Sequence, residues 1–140
     1  MVETTQDLMA FANDVIARQP FSRLIGAEVL EVTAENITVA IPLEHHHQQQ
    51  HGFAHGGLVA ALADIGLAFT GGIALGGDNV VTSEFKINYL RPAIGERLIA
   101  RASTHAGKRQ AVSRCEIYAE KDGAEKLCAL AQGTINRVGA

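Results

Sequence analysis

The sequence predicts an α+β domain in which a curved antiparallel sheet wraps around one long central helix, with a short helix ahead of it. Three observations carry that prediction. About twenty residues after His55 are apolar on every side, hydrophobic residues alternate with period two before and after them, and glycine or proline turns separate the alternating runs. A helix with no polar face must be buried, and a sheet needs one face covered, so each element supplies what the other lacks.

The elements follow in chain order. Leu8, Met9, Phe11, Ala12, Val15 and Ile16 recur at helical spacing and predict a helix over about residues 5–18, stopped by Pro20. Val29 to Val32 and the alternating Ile37, Val39 and Ile41 read as a hairpin turned at Ala34-Glu35-Asn36 and closed by Pro42. The polar run Glu44 to His51 reads as loop. Next comes HGGLVAALADIGLAFTGGIALGG, the central helix, which Gly76-Gly77 end. Three alternating sets then mark strand faces: Val81, Ser83, Phe85, Ile87 and Tyr89; Ala111, Ser113, Cys115, Ile117 and Ala119; Leu127, Ala129, Ala131, Gly133 and Ile135. A further strand passes through Leu98-Ile99-Ala100, and the turns fall at Pro92 to Gly95, Ala106-Gly107-Lys108 and Asp122-Gly123. Four consecutive antiparallel strands, read as a meander, thus follow the helix. The whole chain, 1–140, is one domain with its core over about residues 25–137.

Composition narrows the function. The 140 residues are 47% hydrophobic, and 12 Lys+Arg stand against 15 Asp+Glu for a net charge of −3, which leaves no basic excess for a nucleic-acid partner. Seven Phe and Tyr with no Trp offer little for stacking bases. The central helix is long enough to span a membrane, but Asp64 at its middle would cost about 2.5 to 3.5 kcal/mol there and no Lys or Arg flanks either end, so no membrane span is expected. The first twenty residues carry acids and no continuous apolar stretch, which points to the cytoplasm. Cys115 and Cys128 lack the spacing of a metal or redox pair and read as reduced core thiols.

Eight of the fourteen glycines fall between Gly52 and Gly77, and the chemistry gathers in the same window. Asp64 is the single charge in the helix, and a carboxylate among Leu62, Ala63, Ile65 and Leu67 needs a partner, a raised pKa or a cleft. Gly56 and Gly57 stand where the loop enters the helix, whose first N–H groups are unpaired and lie at its positive end, suited to a carbonyl oxygen or oxyanion. Eight helical residues rise about 12 Å, too far for Asp64 and the Gly56 N–H to act on one carbonyl from the same chain. Joint action therefore requires two copies, as two antiparallel helices about a two-fold axis would provide, with Ala60, Ala61, Ala63 and Ala68 allowing close contact.

His55-Gly56-Gly57, six residues, then Asp64, followed by FKINYLRPA at Phe85 to Ala93, resembles the hotdog-fold acyl-CoA thioesterases of the phenylacetate-degradation (PaaI) type, over about Ile25 to Arg137. The resemblance implies that Asp64 is the general base on water or the nucleophile at the thioester carbon, and that the Gly56 N–H polarises the carbonyl. It assigns a water-orienting hydroxyl to Thr82, with Ser83 as the alternative register, and a thioester or water contact to Gln49, with Gln48 and Gln50 as neighbouring candidates. His55 and Gly57 shape the loop and helix start beside the substrate. It further implies a homodimer, as a pair or a dimer of dimers, and coenzyme A as part of the substrate, with no separate cofactor. Arg91, Lys108 and Arg109 are the candidate phosphate contacts, with Arg137 the weaker one. Phe53, Leu67, Phe69 and Phe85 are candidate linings for an apolar acyl or aryl group. No metal is expected: His45, His46, His47 and His51 read as a solvated loop, consecutive histidines diverge, and no carboxylate is spaced to complete a site. Two other readings share the fold. An acyl-thioester hydratase would pair a His with a second buried carboxylate, which the sequence does not offer; an acyl-CoA sensor would bind without turnover.

Overall fold

The computed structural model describes residues 4–139. Helix α1 (Thr5–Ala17) opens with a reciprocal cap: Thr4 Oγ1 accepts the Asp7 N–H at 3.0 Å, and Asp7 Oδ2 accepts the Thr4 N–H at 3.2 Å. Its buried face is Leu8, Ala12, Val15 and Ile16. Pro20 does end this helix, but it also starts α2 (Pro20–Ile25), a short helix the sequence reading missed. A proline at the first helical position loses no hydrogen bond that the helix needs, and Gly26 at φ +82° closes the element.

Strands β1 (Glu28–Val32) and β2 (Asn36–Pro42) form the expected hairpin, followed by one 3-10 turn (His45–His47). The central helix α3 runs Gly56–Ala74, and then come β3 (Val80–Tyr89), β4 (Arg97–Ala106), β5 (Gln110–Lys121) and β6 (Ala124–Arg137). Eleven of the nineteen α3 residues are buried, so a helix apolar and long enough to cross a membrane is here the core under a sheet. It lies very close to that sheet: a methyl group on Gly71 would sit 2.7 Å from Ile135, and one on Gly66 would sit 3.3 Å from Ala102. Leu62, Leu67, Leu98, Ile117 and Ile135 are fully buried between the two layers.

All pairings are antiparallel, in the order β1-β2-β4-β5-β6-β3. This corrects the meander. Strand β3 pairs with β6 at the sheet edge, while β4 pairs with β2. The step from β3 to β4 passes two strands, about 14 Å, which the seven residues 90–96 cover easily with a reach of about 23 Å. Alternation shows that a strand exists; it carries no information about which neighbour that strand takes.

The face assigned to β3 is also corrected. The pairing slips between Thr82 and Glu84, a bulge that turns the strand by one residue. Thr82, Phe85 and Ile87 therefore turn inward, while Val81 and Ser83 point outward. The inward set of β5 holds as expected and that of β6 holds from Ala129 onward, but the pairing slips at Ile117/Tyr118, a bulge that buries Cys128 and leaves Leu127 half-buried opposite Tyr118; both cysteines are buried free thiols, and Asp122-Gly123 makes a two-residue hairpin with φ of +52° and +79°.

Candidate active site

The amino end of α3 is built by two side chains, His55 and Tyr89. His55 caps the helix, its Nδ1 accepting the Gly57 N–H at 2.8 Å. A methyl group on Gly57 would meet that Nδ1 at 2.9 Å, so the cap itself requires glycine there. Tyr89 at the end of β3 donates its hydroxyl to the Gly56 carbonyl at 2.9 Å. The Gly56 N–H, first of the helix, has no acceptor among the described residues.

Gly56 differs from Gly57. A methyl group on it would lie 3.7 Å from the Tyr89 ring, an ordinary contact, and its φ is not in the left-handed region. Neither backbone nor packing within the chain demands glycine at 56, so an alanine there would be accommodated. A groove of about 540 Å³ opens there, walled by Phe53, Val59, Tyr89, Leu90, Pro92 and Cys128, with Arg91 on the rim.

Two turns along α3, Asp64 lies half-exposed, and its Oδ1 accepts the Thr82 hydroxyl of β3 at 2.7 Å. The bulge in β3 makes that contact by turning Thr82 inward. Ser83 lies outside it, its hydroxyl accepting the Asn136 side-chain amide. Of the two hydroxyls the sequence offered, Thr82 is the one beside the carboxylate.

The loop candidates fare differently. Gln49 is half-buried and its side-chain oxygen accepts the His51 N–H within its own turn; Gln48 and Gln50 are exposed. No hydrogen bond joins any of the three to Asp64 or Gly56 in the protomer. His45, His46 and His51 are exposed, but His47 is buried, which corrects the solvated-loop reading: its Nδ1 accepts the Glu44 N–H at 3.0 Å and its Nε2 has no partner. Burial, and then the charge of His46, push its pKa below the ordinary histidine range. Glu44, His46 and His47 bring donor atoms within 4.8 Å of one another, so a carboxylate does lie beside the histidines, contrary to the spacing argument. Accepting an amide N–H at Nδ1 commits the His47 proton to Nε2, which leaves neither nitrogen with a lone pair for a metal while the loop keeps this geometry.

Arg91 flanks the groove beside Gly56, whereas Lys108 and Arg109 lie at the far end of the sheet, where the Arg109 guanidinium donates to the Gly139 carbonyl at 2.7 Å. The Arg137 guanidinium is turned to the Leu75 carbonyl. Leu67 and Phe69 are core residues and Phe85 is half-buried, which leaves Phe53 as the expected lining residue that borders the groove. The sequence reading missed Tyr89, although its place in FKINYLRPA was available as a signal.

The sequence profile of the thioesterase superfamily matches residues 51–126, a span that includes Gly56, Asp64 and Thr82. A thioesterase family protein from Silicibacter pomeroyi is similar over 94% of this chain and 99% of its own, at 31% identity and a TM-score of 0.87. A mutant of the phenylacetic acid degradation protein PaaI from Thermus thermophilus is similar over 86% of this chain and all of its own, at 33% identity and a TM-score of 0.73. PaaI of E. coli, at 23% identity, shares the fold over 99% of this chain and 98% of its own, with a TM-score of 0.87.

Proposed function

The chain belongs to the thioesterase superfamily, and from that premise we propose that it hydrolyses the thioester of a small-to-medium acyl- or aryl-CoA to the free acid and CoA, at a site shared by two copies of the chain. The observation that carries this reading is the pair of half-sites on one strand. Thr82 holds Asp64 near the start of β3, and Tyr89 holds Gly56 at its end. They lie seven residue steps apart along the strand, about 23 Å, and β3 is an edge strand with no neighbour on its outer side among the described residues. A two-fold axis across the middle of β3 brings the start of one strand beside the end of its copy, and so one Asp64 beside the other Gly56.

In that arrangement the thioester carbonyl accepts the Gly56 N–H, whose strength the helix dipole augments. Asp64 of the second copy takes a proton from water as hydroxide adds to the carbonyl carbon, or adds to that carbon itself and is released by water afterwards. Thr82 fixes which carboxylate oxygen faces the substrate. The tetrahedral oxyanion collapses, the C–S bond breaks, and the thiolate of CoA leaves with the bond's electrons. Negative charge grows on the carbonyl oxygen in this step, where an unpaired N–H is worth most. The groove beside Gly56 is apolar enough to hold an acyl chain or the pantetheine arm, with Arg91 on its rim for a phosphate. His55 has its Nδ1 committed to the Gly57 amide, so that nitrogen is not free to serve as the base a hydratase would need.

The test is thiol release from a panel of short, medium, long and aromatic acyl-CoAs. Wild type releases CoA from at least one class, and Asp64→Asn loses turnover while remaining folded. Near-normal turnover by Asp64→Asn would remove the carboxylate from the chemistry, and binding of acyl-CoA by wild type with no hydrolysis across the panel would favour a sensor.

A further inference from the structure

The Gly56 carbonyl has two donors. As the first carbonyl of α3 it takes the N–H four residues on, that of Ala60, and it also accepts the Tyr89 hydroxyl at 2.9 Å. The helix alone therefore satisfies this oxygen. Tyr89 is 53% exposed, so its hydroxyl has water as an alternative partner. A bond that neither group needs for satisfaction contributes little to stability, and its effect falls on orientation.

Orientation is what the opening of α3 lacks on its own. Two successive glycines leave φ and ψ permissive, and the first turn of a helix has no earlier turn to hold it. Here the peptide unit between Gly56 and Gly57 is gripped at both ends: Tyr89 donates to its oxygen, and its N–H donates to His55 Nδ1 at 2.8 Å. A donor on the oxygen polarises the amide, so the two bonds strengthen each other. The residue before is fixed as well. The His55 N–H donates to the His47 carbonyl at 2.9 Å, and the His55 carbonyl accepts the Leu58 and Val59 N–H groups at 2.9 and 3.2 Å. Between these anchors lies the Gly56 N–H, which has no acceptor among the described residues.

Tyr89 is itself held rigidly. It ends β3 opposite Ala129 of β6, the next N–H, that of Leu90, donates to the Cys128 carbonyl at 2.7 Å, and the ring forms part of the groove wall beside Gly56. We propose that Tyr89 is a positioning residue for the hydrolysis: by holding the Gly56–Gly57 peptide against the end of β3, its hydroxyl presents the Gly56 N–H to the thioester oxygen before the substrate arrives. This rests on the acyl-CoA reading above and adds a residue that acts on the reacting carbonyl through Gly56. A donor aimed in advance needs no reorganisation as charge grows on the oxygen, so the benefit appears in turnover.

The experiment compares wild type with Tyr89→Phe, which keeps the ring in the groove wall and removes only the hydroxyl. Three properties are read: kcat and KM on the best thioester, the urea unfolding midpoint, and amide hydrogen exchange at Gly57 in the free protein by NMR. In the variant kcat is expected to fall about fivefold, the scale of one neutral hydrogen bond, with KM within twofold of wild type. The urea midpoint stays that of wild type, and Gly57 exchanges about fivefold faster as the grip on its peptide is lost. A kcat within twofold of wild type, a loss confined to KM, a lowered urea midpoint with unchanged kcat, or Gly57 exchange equal to that of wild type would overturn the proposal. If wild type hydrolyses no thioester, the exchange rates still decide whether Tyr89 holds the helix opening, and the hydrolase reading alone falls.

Discussion

Gly56→Ala separates folding from chemistry at the position where the site is most exposed to test. The added methyl lies 3.7 Å from the Tyr89 ring, with no closer neighbour and no left-handed φ to strain. Alanine also restricts the unfolded chain and favours the helix, so the variant should be as stable as wild type or more stable by up to about 1 kcal/mol. The same methyl stands beside the free N–H, where it displaces a thioester oxygen by about the width of a bond. A misplacement of about 1 Å costs on the order of 10²-fold in rate. Gly57→Ala is the contrasting control: its methyl meets His55 Nδ1 at 2.9 Å, breaks the 2.8 Å cap, and should cost about 1 kcal/mol of stability. Urea unfolding and kcat/KM on the best thioester, measured on both variants, read the two effects. Gly56→Ala activity within threefold of wild type, or a stability loss equal to that of Gly57→Ala, would show that the glycine serves the turn and not the ligand.

Two further outcomes follow from contacts in the core and site. Thr82→Val removes the 2.7 Å hydroxyl bond to Asp64 without changing side-chain shape and should lower kcat about tenfold or more, whereas Thr82→Ser keeps the donor and Ser83→Ala, outside the bulge, stays within twofold. Burial, and then the charge of Glu116, push the Cys115 thiol up to about 12 from 9.0. A raised thiol pKa means the unfolded chain ionises first, so the stability is complete below pH 9 and drains away between pH 9 and 12. At pH 10 wild type should have lost on the order of 1 kcal/mol that Cys115→Ala does not lose, read as the difference in their urea midpoints between pH 7 and pH 10; parallel pH slopes would contradict it.

Much of the fold was legible because burial imposes periodicity. The all-apolar α3 segment has one stable place, beneath a sheet, and the alternating set of β5, with that of β6 from Ala129 onward, faces it as read. The Asp64 and Gly56 pair was equally plain, a lone charge in a buried helix and a glycine at its opening. What stayed hidden depends on neighbours distant in sequence. The β3 bulge, which decides Thr82 over Ser83, is a mismatch with β6 that β3 alone does not encode. The place of β3 at the edge is likewise fixed by β4 taking β2 as its partner. His47 reads as one of several loop histidines because its burial comes from how the loop folds back on the domain. Pro20 was read as a stop because the same residue that ends one helix is also the best first residue of the next.

The shared site is tested most directly by mixing two inactive chains. Asp64→Asn and Gly56→Val are purified separately, unfolded, combined in equal amounts and refolded. If each site takes Asp64 from one copy and Gly56 from the other, every hybrid pair contains one intact site, and random pairing restores about a quarter of wild-type activity. If both residues act within a single chain, every site in the mixture carries a defect and no activity returns.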